Sequence, residues 1–292
     1  MSPGVHRPTV GAVVLTMNDR PKEFPRAMAS LLAQENIELD VIVVGNGCAP
    51  QQVPPGVRTV ELAENVGIPE GRNVGAANVT GDYLFFFDND AHLPDTDALA
   101  RLAAALDGEP GLAYAQPRIA DPDTGVTLRR WVPRLRASDP ARPGVVTVMA
   151  EGVVMVRRAV FEAVGGWPGH FFLFHEGIDL AWRLWNKGGT GKYLPDIVVH
   201  HPATDPARHA TFYRLNARNR VWLARRNLPR VLVPLNLTTF VLLTLWRFRD
   251  KAALRASFDG FRDGLRGGYG QRSPMSWGTV ARLTRAGRPP VL

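Results

Sequence analysis

An α/β fold, with a mostly parallel sheet flanked by helices and a basic helical extension at the C-terminal end, follows from three features of the sequence. Apolar runs of strand length alternate with segments of helical periodicity from Val10 to about Leu106, the pattern of a parallel sheet wound with helices on both faces. The fourth apolar run, Leu84-Phe85-Phe86-Phe87, is too apolar for a water-facing surface and reads as a strand buried on both faces. The charge is also split: residues 1–207 hold 18 Lys+Arg against 24 Asp+Glu, and residues 208–292 hold 17 against 3, for net charges of −6 and +14. The chain therefore divides into an α/β region, 1–207, and a basic helical region, 208–292.

The elements follow in order. Val10–Leu15 is a buried strand, and the polar turn Thr16–Pro21 leads to a helix with Phe24, Met28, Leu31 and Leu32 in phase. Val41–Val44 is a second strand, ending in Gly45-Asn46-Gly47, a turn open to close approach of a ligand. Arg58–Leu62 is a third, and Pro69 suits the first turn of the helix that comes next. A helix from about Asp95 to Leu106 follows the fourth strand. Beyond Tyr114 the alternation breaks: Asp121-Pro122-Asp123-Thr124-Gly125 signals a turn, Val126–Val132 a hairpin arm, and the Pro/Arg-rich stretch 133–144 a loop over the site. Gly152–Val156 is a buried strand, Arg158–Val164 a short helix stopped by Gly165-Gly166, and a further helix carries Leu180, Leu184 and Trp185 on one face. Pro195–Pro202 is a short strand bearing His200 and His201. From Arg208 the pattern is helical. Val231–Trp246 then runs 16 residues without an ionisable group, short of a membrane-spanning helix. It reads as a buried or interfacial segment, against the simpler reading of an amphipathic helix docked on the core. From Arg272 the chain reads as loosely ordered.

The chemistry concentrates at Asp88-Asn89-Asp90. Ligands of open α/β sheets collect beyond the carboxyl ends of the strands, and alternate residues of an extended chain point the same way, so both acids can face one hard cation. An Asx turn capping the strand is the plainer alternative. Free amides at the helix start near Pro69, together with Arg72, suit a phosphate. Glu176 and Asp179, three apart, project from one side of their helix. One cysteine, Cys48, rules out an internal disulfide and a cysteine-cluster metal site. The first eight residues carry no apolar core of signal-peptide length, which gives a cytoplasmic reading.

The ordered set Asn65-x-Gly67, Gly71-Arg72-Asn73-x-Gly75, Asp88-Asn89-Asp90 and Val164-Gly165-Gly166-Trp167 to Phe171-Phe172 resembles the family-2 glycosyltransferases, especially rhamnosyltransferase-like and galactofuranosyltransferase-like members. The similarity runs from about Val10 to His201 and continues weakly through Arg218-Asn219-Arg220. It implies the Rossmann-like GT-A fold and a metal-dependent, inverting transfer of sugar from a UDP-, dTDP- or GDP-linked donor to an acceptor hydroxyl. Carried over by position, Thr16, Asn18, Arg20, Asn46, Asn65, Arg72, Asp88 and Asn89 would meet the donor. Asp88, Asp90 and His201 would hold Mg²⁺ or Mn²⁺. His200 is set aside. Two departures stand out: Gly45 replaces the family's base-contacting Asp, and Glu176-Gly177 replaces the usual Glu-Asp, leaving Glu176 or Asp179 as the base.

The competing classes are weaker. A nucleotidyltransferase expects a glycine cluster after the first strand, which Thr16–Arg20 lacks, and no G-x-G-x-x-G supports a dinucleotide. Gly177 is the best argument for a non-catalytic binding module. The basic C-terminal region calls for an acidic partner, nucleic acid or an anionic membrane surface. Its aromatics fall at buried helical spacing, which disfavours nucleic acid and leaves peripheral attachment to the inner face of the membrane. A glycan, a lipid-linked sugar or a natural product is equally compatible as acceptor.

Overall fold

The computed structural model describes residues 7–134, 139–150, 152–203 and 209–291. The division expected at 207/208 and part of the 133–144 loop lie outside them. The strands are β1 Thr9–Thr16, β2 Glu38–Asn46, β3 Arg58–Leu62, β4 Tyr83–Asp88, β5 Leu112–Ala120, β6 Gly144–Val146, β7 Val153–Arg157 and β8 Thr190–His200. They form one sheet in the order β3-β2-β1-β4-β7-β5-β8-β6. β1 to β4 are mutually parallel, β7 runs against β4 and β5, β5 is parallel to β8, and β6 is antiparallel to β8. The mostly parallel sheet expected from the alternation is therefore present, and the helices cover both its faces.

The strand alternation sorts the core into two halves. Val10, Ala12, Val14, Phe85 and Phe87 face one side, where α1 (Glu23–Leu32) supplies Phe24, Met28 and Leu31 and α3 (Ala98–Gly108) supplies Leu99, Leu102 and Leu106. Val13, Leu84 and Phe86 face the other. There lie α2 (Ile68–Ala77), α4 (Arg158–Ala163), α5 (Glu176–Asn186), α6 (Ala210–Asn227) and α9 (Trp277–Arg285). Trp222, Leu223 and Ala224 of α6 belong to the same packed cluster as Phe86 and Phe171, so the basic region shares the core of the sheet.

Several expectations need correction. Val126–Val132 is no hairpin arm: only a single 3₁₀ turn, Arg129–Trp131, forms there, with Trp131 buried. The strand partners on that side are β5 and β6. Gln116-Pro117-Arg118 interrupts the apolar run of β5 and hides it, yet Gln116 is fully buried, donating to Val153 O at 2.6 Å and accepting from Ala150 N at 2.9 Å. The chain after Arg272 is ordered: Ser276 caps α9 through Thr279 N, and Met275 and Leu283 are buried in the second cluster. Between α6 and α9 lie α7 (Leu232–Arg247) and α8 (Lys251–Arg266). α7 has one fully buried residue, Asn236, and Leu235, Leu242 and Trp246 on it, with Val231 just before it, are exposed. The segment is thus not a buried one: Leu232, Val233 and Leu237 dock on the second cluster as in the simpler reading, and the rest of the helix lies at the surface. No helix of the described residues is long and apolar enough to cross a membrane.

Candidate active site

Parallel pairing brings the ends of β1, β2 and β4, and with them Thr16, Asn46 and Asp88, to one edge of the sheet. β7 runs the other way and contributes its start. Asp88 N donates to Gly152 O at 3.0 Å, and a Cβ on residue 152 would overlap Asp88 Oδ2, so only glycine fits behind this carboxylate. The chain after β4 crosses the edge toward β8, where His92 and His200 exchange backbone hydrogen bonds of 2.8 and 2.9 Å. Their rings also meet, Nδ1 of His200 lying 3.1 Å from Nε2 of His92. This bridge occupies His200 and sets His201, just past β8, against the two aspartates.

His201 Nε2 lies 3.1 Å from Asp90 Oδ1 and 3.6 Å from Asp88 Oδ2. One ligand atom from each of Asp88, Asp90 and His201 falls within 4.8 Å of the others. Arg20 Nε approaches Asp90 Oδ2 at 3.1 Å, and Arg72 Nη2 donates to Asp88 Oδ1 at 2.9 Å. Burial opposes charge on both His201 and Asp90, but their partners outweigh it. Asp88 and Asp90 lift the imidazole to about 10, and His201, then Arg20, hold Asp90 below the usual carboxylate range. A cation wedged between two carboxylates marks where a metal would sit, and this oxygen-rich set with one imidazole fits a divalent ion. Arg72 is 4% exposed, stacks over Trp167 at 5.3 Å, and has an Nη1 with no hydrogen-bond partner among the described residues. A buried, unsatisfied guanidinium nitrogen beside the strand edge fits a phosphate oxygen.

The donor-side residues separate into those that face the edge and those that brace it. Asn18, in the left-handed region at φ 59°, donates to Ala49 O at 2.9 Å and accepts from Gln51 N at 3.0 Å, joining the β1 and β2 loops. Thr16, Asn18, Arg20, Gln51 and Gln52 line a small depression there. Asn89 Nδ2 reaches Asp19 Oδ1 at 3.2 Å and Thr16 Oγ1 at 3.4 Å. Asn46 behaves differently. It is 2% exposed, its Nδ2 donates to Asn65 Oδ1 and its Oδ1 accepts from Val66 N, both at 2.9 Å. Its amide braces the loop that carries exposed Asn65. Gly45 explains why no acid stands beside it: a Cβ there would collide with Cys48 O and the Pro50 ring.

The second carboxylate group lies on the other side of α2. Ile68 N donates to Phe172 O at 2.8 Å, so the segment before α5 lies against the donor loop. Phe172, Phe174 and His175 all have positive φ, an unfavourable backbone for side-chain-bearing residues. Asn219, fully buried on α6, holds this segment: its Nδ2 lies 2.9, 2.6 and 2.9 Å from the carbonyls of Phe171, Leu173 and Phe174. Arg218 Nη2 adds a bond of 2.8 Å to Phe171 O. Glu176 follows as the first residue of α5, 2% exposed. Asp179 is fully buried and engaged by Arg183 Nε at 2.6 Å, Asn227 Nδ2 at 2.6 Å and Arg226 Nε at 3.1 Å. Arg183 in turn donates to Val164 O and Gly166 O at 2.6 and 2.7 Å. Asp179 ties α5, α6 and the Gly165-Gly166 turn together, with both of its oxygens engaged by cationic or amide groups. In the sequence Gly152 stood out only as a strand start and Asn219 only within the weak continuation Arg218-Asn219-Arg220, neither with a role, and Gln51-Gln52 not at all.

The profile of Glycosyl transferase family 2 matches residues 12–165. An N-acetylglucosaminyl-diphospho-decaprenol L-rhamnosyltransferase of Mycobacterium tuberculosis is 32% identical over 108 residues, covering 35% of this chain and 32% of that protein. The chain thus matches about a third of that relative's length. Among solved structures, GalNAc-T7 with UDP, GalNAc and Mn²⁺ superimposes with a TM-score of 0.63 at 14% identity, over 98% of this chain and 59% of that one. The mannosyltransferase PcManGT of Pyrobaculum calidifontis with GDP-Man and Mn²⁺ gives 0.58 at 18% identity, over 96% and 80%. At these identities the likeness is one of fold. Since the family profile spans more than half of the sequence, from within β1 to the turn after α4, the chain belongs to glycosyl transferase family 2 and is a glycosyltransferase of GT-A fold.

Proposed function

We propose that this enzyme moves a sugar from a nucleotide diphosphate donor to an acceptor hydroxyl in a single displacement, with inversion at the anomeric carbon. The observation that carries this reading is the cluster of Asp88, Asp90 and His201 at the strand edge, with the unsatisfied Nη1 of Arg72 on the residue that grips Asp88. A Mg²⁺ or Mn²⁺ ion held by the trio would supply neutralisation of charge on the departing diphosphate. Arg72 is assigned the phosphate oxygens, Asn65 and the Thr16–Arg20 turn the nucleoside, and Asn18 and Asn89 the joining of the loops around it. Glu176 is assigned the role of base: it accepts the acceptor hydroxyl proton as the new glycosidic bond forms and the bond to the diphosphate oxygen breaks. Attack from the face opposite the leaving group inverts the centre. Asp179, buried and ion-paired with Arg183 and Arg226, is assigned a structural role and no part in this step.

The acceptor is assigned to the lipid-linked class and the enzyme to an anionic membrane surface. The support is the apolar stripe of Val231, Leu235, Leu242 and Trp246, bounded by exposed Arg230, Arg247, Arg249 and Lys251. The test is a panel of UDP-, dTDP- and GDP-sugars with Mg²⁺, Mn²⁺ or EDTA, scored by released nucleotide and by the anomeric configuration of the product. Normal turnover by Glu176→Gln with both substrates bound would remove Glu176 as the base, and a retained configuration would remove single displacement.

A further inference from the structure

Beside the start of α5 lies a cleft of about 890 Å³ that the transfer chemistry above does not use. His175 and Ile178, on either side of Glu176-Gly177, form its floor; α6 and α7 form its walls. Its charge is the unusual feature. Arg220, Arg247 and Arg288 all line it, and among the described residues none of the three is paired with a carboxylate. Arg220 is 7% exposed, and its one side-chain bond is from Nε to the amide oxygen of Asn236, at 3.1 Å. Burial, and then the charge of Arg288, push the Arg220 guanidinium down to about 10. Holding the buried Arg220 beside half-buried Arg288 and the exposed Arg247 without a counter-ion is unfavourable, so the arrangement favours an anion inside. A neighbouring cleft of about 380 Å³ shares Ile178, Arg247 and Arg288 and brings in Arg134. The positive lining thus continues along the groove.

The remaining wall is apolar. Tyr213 and Phe248 meet edge to face at 5.0 Å, and Phe240 and Leu243 of α7 complete the wall. Leu243 is 39% exposed and adjoins Leu242 and Trp246 of the surface stripe, at 62% and 70%. A phosphate alone would satisfy the arginines and leave the aromatic wall wet; a neutral lipid would do the reverse.

We propose that this cleft anchors the acceptor and takes an amphipathic anion, a phosphate or diphosphate headgroup on a long hydrocarbon chain. The headgroup pairs with Arg220, Arg247 and Arg288, and the chain leaves past Leu243 onto the exposed face of α7. The proposal rests on the glycosyltransfer reading, because it places the sugar-bearing end of that lipid beside Glu176.

The test uses the full chain in EDTA, with farnesyl diphosphate, inorganic pyrophosphate and farnesol as probes in calorimetry. Farnesyl diphosphate is expected to bind at least about tenfold more tightly than pyrophosphate, and farnesol not measurably. Arg288→Gln and Arg247→Gln should each weaken it about tenfold, the size of a lost charge-assisted bond. Arg220 is buried enough that its replacement risks the fold, so Arg247 at the exposed helix end carries the test. Equal affinity for farnesyl diphosphate and pyrophosphate, or binding unmoved in both variants, overturns the proposal. So does displacement of farnesyl diphosphate by UDP with Mn²⁺ in chelator-free buffer, which would put the probe in the donor site. UDP and Mn²⁺ binding, measured on the same protein and on Asp90→Asn, separates the two layers. If it persists and depends on Asp90 while the lipid fails, only the acceptor cleft falls; if it is absent, the glycosyltransfer reading falls.

Discussion

Asp90 and Asp179 are both largely buried aspartates facing cations, and the nature of those cations differs in a way that bears on the roles proposed for them. Asp90 faces an imidazole, which can release its proton, and Arg20, whose side chain is 41% exposed and can swing away. Its charge can be handed to an incoming ion. Asp179 faces Arg183 and Arg226, which stay protonated, and Arg183 is itself locked to two backbone carbonyls. Nothing can be exchanged there without breaking the packing of α5 on α6. Burial and charge alone do not distinguish the two.

The sharpest way to break this comparison is to neutralise each acid in turn. Asp90→Asn should lower sugar transfer by at least about a hundredfold, as loss of a metal ligand exceeds the usual cost of disturbing its supporting shell, with a melting temperature close to the parent's. Asp179→Asn should do the opposite, destabilising by about 3–5 kcal/mol because Arg183 and Arg226 are left buried without a counter-charge. That corresponds to a melting temperature lower by roughly 10 °C. Thermal denaturation paired with initial rates reads both. A stable but inactive Asp179→Asn protein would return Asp179 to the chemistry.

The next effect concerns how Glu176 is held. Asn219→Ala removes the amide shared by three carbonyls of a segment with three positive-φ residues. A loss of about 1–3 kcal/mol follows from buried carbonyls left unsatisfied. kcat should fall about tenfold, the order expected when a reacting group is displaced by a fraction of an ångström, while KM for the nucleotide donor stays constant. A rise in donor KM with unchanged kcat would mean that Asn219 serves the donor loop through Phe172 and Ile68 instead.

The same contrast explains what could be read from the sequence. Asp88, Asp90 and His201 were legible because strand ends and motif order are local, and parallel pairing gathers them at one edge. Arg72 was legible through its motif, although the reason for the motif emerges only in three dimensions: Asn73 Oδ1 accepts from Trp167 N at 2.8 Å, so two distant pieces of it touch. The partners of Asp179 and Asn46 were not legible. Asn227 lies 48 residues from Asp179, and a side chain consumed by such a contact looks the same in sequence as one aimed at a ligand. β5 was hidden by its polar centre. The order after Arg272 was hidden too, because it depends on Leu283 and Met275 reaching a core that they share with residues far earlier in the chain, such as Trp185 and Trp222.

Gly45 offers a smaller test of the same point. Restoring the acid that the family usually carries, by Gly45→Asp, should not improve binding of a uridine donor. The new side chain meets Cys48 O and Pro50, and overpacking of that kind costs about 1–3 kcal/mol. Tighter UDP binding with unchanged stability would show that the 45–50 turn yields easily to a side chain at position 45.

The smallest change in stability is expected on α7, where the comparison moves from acids to helices. α6 buries Asn219 and Arg220 and anchors the segment before α5, whereas α7 turns Leu242 and Trp246 to the surface at 62% and 70% exposure. Trp246→Ser should therefore leave stability within about 0.5 kcal/mol of the parent, as for other surface positions. It should still reduce flotation with vesicles containing phosphatidylserine, since an interfacial tryptophan contributes by inserting its ring. Adding Leu242→Ser should reduce flotation further at little additional cost to the fold. If the double variant floats as the parent does while losing stability, the stripe is covered by protein, and α7 belongs to the core in the way α6 does.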